Sequence, residues 1–153
     1  MKKENIVLFL KTAFPFLLSI GLWRLSCSVW NQAGFLAIIP VFFFSFVRPV
    51  NWFASFAAMI CFIIDYKFGT ICFWLAFYCL FYAINGFQSF IDISRIDKNG
   101  LIVFMFFIGT GLVLLLFRNF GFWNFLDAIW MFVWTSILYY PITQISKRAI
   151  NDR

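Results

Sequence analysis

Apolar residues in this chain are gathered into six runs, which short polar or charged segments separate. The runs cover residues 6–23, 34–47, 52–64, 68–84, 101–117 and 122–140. A helix needs about 20 apolar residues to cross the roughly 30 Å of hydrocarbon in a bilayer. The pattern therefore predicts an all-α membrane protein, a compact bundle of six transmembrane helices that forms one domain over residues 1–153.

The second and third runs are shorter than a full crossing requires. They can still cross if Arg48 and Lys67 extend their charged ends to the membrane surface, or they can form a re-entrant pair. A bundle of five transmembrane helices results if one of the two lies in the interface instead. Lys11 interrupts the first run and no A-x-A sequence follows, so we expect an uncleaved span rather than a signal peptide.

The composition agrees with lipid as the main surroundings of the chain. Hydrophobic residues make up 64% of the sequence and charged residues only 12%, with 25 Phe among the 153 residues. A soluble domain carries about 25% charged residues. Twelve bases and six acids are too few to cover the surface of a soluble protein of this length.

The positions of the bases predict which way the helices run. With six spans and a cytoplasmic N-terminus, nine bases face the cytoplasm and three face outward. Cytoplasmic loops of membrane proteins carry the excess of Lys and Arg, so we expect both termini in the cytoplasm. The nine are Lys2, Lys3, Lys11, Arg48, Arg95, Lys98, Lys147, Arg148 and Arg153, and the three are Arg24, Lys67 and Arg118.

Several classes of function find no support in the residue types. The bases flank apolar runs and form no stripe interleaved with aromatic residues, which argues against nucleic-acid binding. The chain has no His, and its four Cys include no C-x-x-C pair, so we expect no zinc site. GxSxG, HExxH and P-loop motifs are also absent. The sequence predicts neither an enzyme nor a cofactor.

Asp65 and Asp127 are the acids that lie in or at the ends of the apolar runs. Paired aspartates in a membrane can form a protease dyad or a proton relay. The alternative, which we favour, is that a nearby base neutralises each one. In the six-span arrangement Arg24 and Arg118 lie at the same end as both acids. We therefore predict that Asp127 pairs with Arg24 or Arg118, and that Asp65 sits near the same group.

Small and aromatic residues predict contacts between helices. Gly109 and Gly111 in the fifth run, like the alanines of the third, allow two backbones to approach closely. Such positions serve packing within the chain or, alternatively, a subunit interface. In the sixth run one face carries Asp127 together with three tryptophans. A carboxylate facing lipid costs about 2.5–3.5 kcal/mol, so we expect this face to meet protein. The tryptophans are Trp123, Trp130 and Trp134.

Four local features resemble one family of membrane proteins. One span closes on the pair Arg48-Pro49, and the next ends in a single acid, Asp65, with Gly69 four residues later. The last span ends at Tyr139-Tyr140-Pro141, and a basic tail at Lys147-Arg148 follows. In these features, in length and in the number of spans, the chain resembles the rod shape-determining protein MreD family.

The resemblance implies a function that the residues alone do not indicate. It implies a non-enzymatic subunit of the bacterial elongation machinery, a multi-pass protein of the cell inner membrane that supports side-wall peptidoglycan synthesis. The implied partners are a membrane-anchored MreC-like protein, the actin-like MreB filament, and the glycosyltransferase and transpeptidase of elongation. In fold the family resembles the substrate-binding subunits of small-molecule uptake transporters, which supplies the alternative function.

Overall fold

The computed structural model describes residues 3–29, 34–87, 100–118 and 122–151 of the chain. In this part of the chain every regular element is a helix and there is no β-strand, which confirms the all-α prediction. Of the bases that were counted for orientation, four lie outside the described residues. These are Lys2, Arg95, Lys98 and Arg153.

Six helical segments correspond to the six apolar runs. In chain order they are α1 (Lys3–Val29), α2 (residues 35–47), α3 (Phe53–Phe68), α4 (Phe73–Phe87), α5 (Gly100–Arg118) and α6 (Phe122–Asn151). Three of them are long and apolar enough to cross a membrane, over the stretches Glu4–Ser28, Gly100–Arg118 and Phe125–Ile150. These helices are consistent with an all-α membrane protein, which the apolar runs predict.

The short second helix lies in the centre of the bundle. It begins as a 3₁₀ turn at Phe35–Ala37, continues as an α-helix over Ile38–Phe42 and ends in a π-helical turn at Phe43–Val47. Every side chain from Phe35 to Phe46 is buried. A helix that is apolar all round must be covered on all sides, and α1, α3, α4, α5 and α6 each contact this one.

The helices run alternately up and down through the bundle. At one end, a Cβ on Gly34 would overlap the indole of Trp23 near the end of α1, so α2 starts where α1 finishes. The ring of Phe35 contacts Phe68, the last residue of α3. At the other end, Phe46 of α2 meets Phe81 in the second half of α4. We call the first of these the Asp65 end, after the acid near the end of α3.

Several helix boundaries differ from the limits of the apolar runs, and three of them concern the residues of the site or Pro141. The third helix continues to Phe68 and the fourth begins only at Phe73, because a turn between them is held by hydrogen bonds. The last helix continues ten residues past Pro141, to Asn151. A proline inside a helix removes one backbone donor, but the helix can continue around it when neighbouring turns supply the remaining bonds. Pro141 is exposed.

Candidate functional site

The carboxylate of Asp65 holds the end of α3 to the beginning of α4. Its Oδ1 accepts a hydrogen bond from the Thr70 hydroxyl at 2.6 Å and another from the backbone N–H of Trp74 at 2.9 Å. Its Oδ2 accepts from the backbone N–H of Leu75, also at 2.9 Å. Asp65 is only 2% exposed, and these three bonds satisfy a carboxylate that water does not reach.

This arrangement caps α4 from the preceding helix. Trp74 and Leu75 are the second and third residues of α4, whose N–H groups find no acceptor within their own helix. The residue just before a helix ordinarily accepts these bonds with its side chain. Here the acceptor is Asp65, which lies nine residues before Trp74 and ten before Leu75. The negative charge also meets the positive end of the α4 dipole.

The backbone of the turn depends on the same residue. The carbonyl of Asp65 accepts from the N–H of Gly69, and from that of Thr70 at 3.0 Å. Gly69 has φ 65, in the left-handed region that glycine adopts without steric cost. Cys72 has φ 55, which costs a residue with a side chain about 1–2 kcal/mol. The bonds to Asp65 hold this strained turn in place.

A cavity of about 120 Å³ opens beside the turn. Thr70 and Trp74 form part of its wall, and Asp127 contributes its one carboxylate. The indole N–H of Trp74 is buried and has no hydrogen-bond partner among the described residues. The remaining lining is apolar or aromatic and comes from α2, α3, α5 and α6: Phe35, Phe68, Leu112, Leu115, Leu116, Ala128 and Met131.

The structure brings Asp65 and Asp127 to the same end of the bundle, as the sequence predicts, but not to a shared base. Asp65 is bonded to Thr70 and to the start of α4. Among the described side chains, no ion pair joins Asp127 to Arg24 or Arg118, which are both exposed.

The face of α6 that carries Asp127 is only partly covered by protein. Asp127 is exposed and Trp130 is 49% exposed, while the buried side of the helix passes through Ala128 and Thr135. Trp130 and Trp134 contact each other edge to face, with ring centroids 5.4 Å apart. The side chain of Trp123 lies outside the described residues.

The Arg48-Pro49 pair ends the central helix. Arg48 has left the helical conformation, which the following proline disfavours, and has φ −134 and ψ 82. Its N–H bonds to the carbonyl of Phe43 at 2.8 Å and closes the π-helical turn. Sequence reasoning missed the nearby polar contact in which Ser45 and Tyr78 share a buried hydrogen bond of 2.9 Å between their hydroxyls.

Comparison with known proteins adds no further assignment. No family model, no curated protein and no solved structure matches the chain. The chemistry of the site therefore has to be inferred from its residues. Asp65 accepts three hydrogen bonds from its own chain, whereas Asp127 lines the cavity and has no hydrogen-bond partner among the described side chains.

Proposed function

We propose that the protein is a non-enzymatic scaffold subunit of the bacterial cell-elongation machinery. In this proposal six helices hold it in the cell inner membrane with both termini in the cytoplasm. It supports side-wall peptidoglycan synthesis by contacting an MreC-like protein, and through it the MreB-like filament and the glycosyltransferase and transpeptidase of elongation. The resemblance of the sequence to the MreD family is the origin of this proposal.

The bonding of Asp65 is the observation that supports it most. The stretch from Asp65 to Gly69 is one of the features that resemble the MreD family, and here it builds a connection between two helices. The three donors are the Thr70 hydroxyl and the backbone N–H groups of Trp74 and Leu75. The two N–H groups have no acceptor within α4, so the folded protein needs the carboxylate to bond them. The acid therefore serves structure, as a scaffold requires, and is not available as a catalytic base.

The first half of α1 offers a surface for a partner. All residues from Glu4 to Thr12 are exposed in the isolated chain, including an apolar stretch from Ile6 to Leu10. Lipid can cover such a surface, and so can a transmembrane helix of another protein. A membrane-anchored partner of the MreC type would supply a helix of this kind.

The cavity bears on the alternative of a transporter subunit that binds a metabolite. Pockets for such ligands usually measure about 300–1,000 Å³. The cavity beside Asp127 measures about 120 Å³, and a second, apolar one between α1 and α3 measures about 210 Å³. Both are smaller than such a pocket, which favours the scaffold over this alternative.

Loss of the protein is expected to round the cells of a rod-shaped host, and the purified protein should bring down an MreC-like partner. A photoreactive residue in place of Phe9 should crosslink to that partner. Phe106 of α5 is the matched control, since the two side chains are 69% and 68% exposed. Normal cell shape after complete loss, together with stoichiometric binding of a metabolite, contradicts the scaffold.

The orientation gives a second prediction. A reporter that is active only outside the inner membrane should be silent when it is fused after Arg153 and active when it is fused near Arg118. The reason is the excess of bases, nine against three, on the side of the termini. The reverse result would place the termini outside and would remove the contact with a cytoplasmic filament.

A further inference from the structure

We propose that the apolar cavity between α1 and α3 binds one acyl chain of an anionic phospholipid, whose phosphate lies between Arg24 and Lys67. The inference concerns lipid binding and does not depend on the scaffold function. Three observations support it: the cavity is open on the surface of the bundle, both bases lie beyond the same end of it, and neither base has a partner within the described part of the chain.

The cavity measures about 210 Å³ and lies between two helices that both run towards the Asp65 end. Near its lower end the ring of Phe16 in α1 contacts that of Phe53 at the start of α3. Ile20 and Met59 form part of the lining and are 52% and 51% exposed. The cavity therefore opens to the outer surface of the bundle, which acyl chains surround in a membrane.

The two side chains of the lining that carry a polar atom offer no hydrogen bond to a ligand. Ser19 is fully buried, and its hydroxyl donates to the carbonyl of Pro15 at 2.8 Å. The indole nitrogen of Trp23 is buried too, and a Cβ on Gly34 would overlap it. The rest of the lining is apolar, which suits a hydrocarbon chain. A cavity of about 150 Å³ holds one benzene molecule, so about 210 Å³ holds about eight carbon atoms.

Both bases lie beyond the same end of the cavity. On α1, Arg24 comes four residues after Ile20, and on α3, Lys67 comes four residues after Ile63. Residues four apart share a face of a helix, so each base continues the face that lines the cavity. Tyr66, next to Lys67, is 80% exposed, and tyrosine is enriched at the level of the lipid headgroups. The two bases are therefore placed where lipid phosphates lie.

Neither base has a partner among the described residues. In this part of the chain no hydrogen bond and no ion pair is formed by Arg24, which is exposed, or by Lys67, which is partly buried. The nearest acid along the chain, Asp65, is bonded to Thr70 and to the start of α4. A Lys or Arg at the membrane surface favours an anionic lipid by about fivefold. A phosphate between the two bases supplies the negative charge that the protein does not.

The test uses the full chain, reconstituted in bilayers with equal amounts of phosphatidylglycerol and phosphatidylethanolamine. After mild extraction, native mass spectrometry counts the lipids that stay bound. We expect one phosphatidylglycerol per chain with about 25-fold enrichment, the product of two bases at about fivefold each. An excess of soluble glycerol phosphate should not displace this lipid, because the acyl chain contributes to binding. Displacement would show that the headgroup binds without the cavity, and would overturn the proposal.

Substitutions of the bases test the headgroup site. Arg24→Gln and Lys67→Gln should each lower the enrichment to about fivefold, and the double variant should show none. Arg118→Gln is the matched control, since it removes an exposed base at the same end of the bundle from α5, which does not line this cavity. It should leave the enrichment unchanged.

A second pair of substitutions tests the cavity. Met59→Trp fills it from its open side and should abolish the enrichment. Val113→Trp places the same side chain on α5 at an equally exposed position, 50% against 51%, and should have no effect. Thermal unfolding in detergent checks that each variant is folded. The proposal is overturned if the wild type retains both lipids equally, as it would with a partner helix in the cavity, if the double base variant or a folded Met59→Trp keeps the enrichment, or if either control loses it.

Discussion

Replacing Asp65 with alanine is expected to lower the free energy of unfolding by about 3 kcal/mol or more, and to reduce the amount of protein in the membrane. The change removes three hydrogen bonds to a buried carboxylate. It leaves the buried N–H group of Trp74 and the partly buried N–H group of Leu75 without acceptors. In lipid such groups have no alternative partner, so the protein should lose stability.

Graded substitutions in the same turn separate the contributions of the individual hydrogen bonds to stability. Asp65→Asn keeps an oxygen acceptor but turns an amide donor towards the other N–H, so its effect should be intermediate. Thr70→Val removes only the 2.6 Å bond from the hydroxyl and should cost about 1 kcal/mol. Glu4→Ala changes an acid that is exposed, and it should leave stability unaffected.

Thermal unfolding in detergent and membrane abundance measure this series. If Asp65 serves structure alone, any loss of function in Asp65→Asn will follow the loss of protein and not exceed it. An Asp65→Ala protein as stable as the wild type would contradict the capping role. An Asp65→Asn protein that is abundant and inactive would instead indicate a chemical role for the acid.

The apolar runs were sufficient to predict the helices but not their environment. Six runs became six helical segments, because a long apolar stretch has few ways to satisfy its backbone in lipid. The central position of residues 35–47 could not be predicted, since a continuous apolar run looks the same whether lipid or protein surrounds it. The surroundings are set by contacts with five other helices.

The capping role of Asp65 also depended on information that a single sequence does not contain. The fourth run begins at Phe68, but the helix starts at Phe73. A glycine often follows the last residue of a helix, so Gly69 could have indicated that α3 ends there and that α4 starts a few residues later. Two of the partners of the carboxylate, however, are backbone N–H groups nine and ten residues away. Every residue except proline carries such a group, so the sequence does not show which of them bonds to the acid. A neighbouring base was therefore the more natural expectation.

Gly109 and Gly111 of α5 are expected to respond differently to replacement by alanine. A Cβ on Gly111 would lie 2.7 Å and 2.8 Å from Cζ3 and Cη2 of Trp74, and 3.2 Å from Cε1 of Phe77. A Cβ on Gly109 would meet only Cε2 of Phe132, at an ordinary 3.6 Å. The sequence predicts close packing at both positions, and the structure places the close approach at Gly111.

The Trp74 indole has little freedom to move away from the new methyl group. Its side chain is only 1% exposed, and its backbone N–H is bonded to Asp65. Overpacking of this kind costs about 1–3 kcal/mol. The gain of about 1 kcal/mol from replacing glycine by alanine in a helix offsets part of that cost. Gly111→Ala should therefore destabilise the protein, while Gly109→Ala keeps the helical gain and should be neutral or stabilising.

A double substitution identifies the contact that is responsible. Trp74→Phe removes the benzo ring that the new methyl group meets, so Gly111→Ala should cost less in that background than in the wild type. Thermal unfolding of the four proteins measures the coupling between the two positions. Strictly additive effects would mean that Trp74 does not oppose the methyl group. In that case any cost of Gly111→Ala would have to come from another neighbour, such as Phe77 of α4.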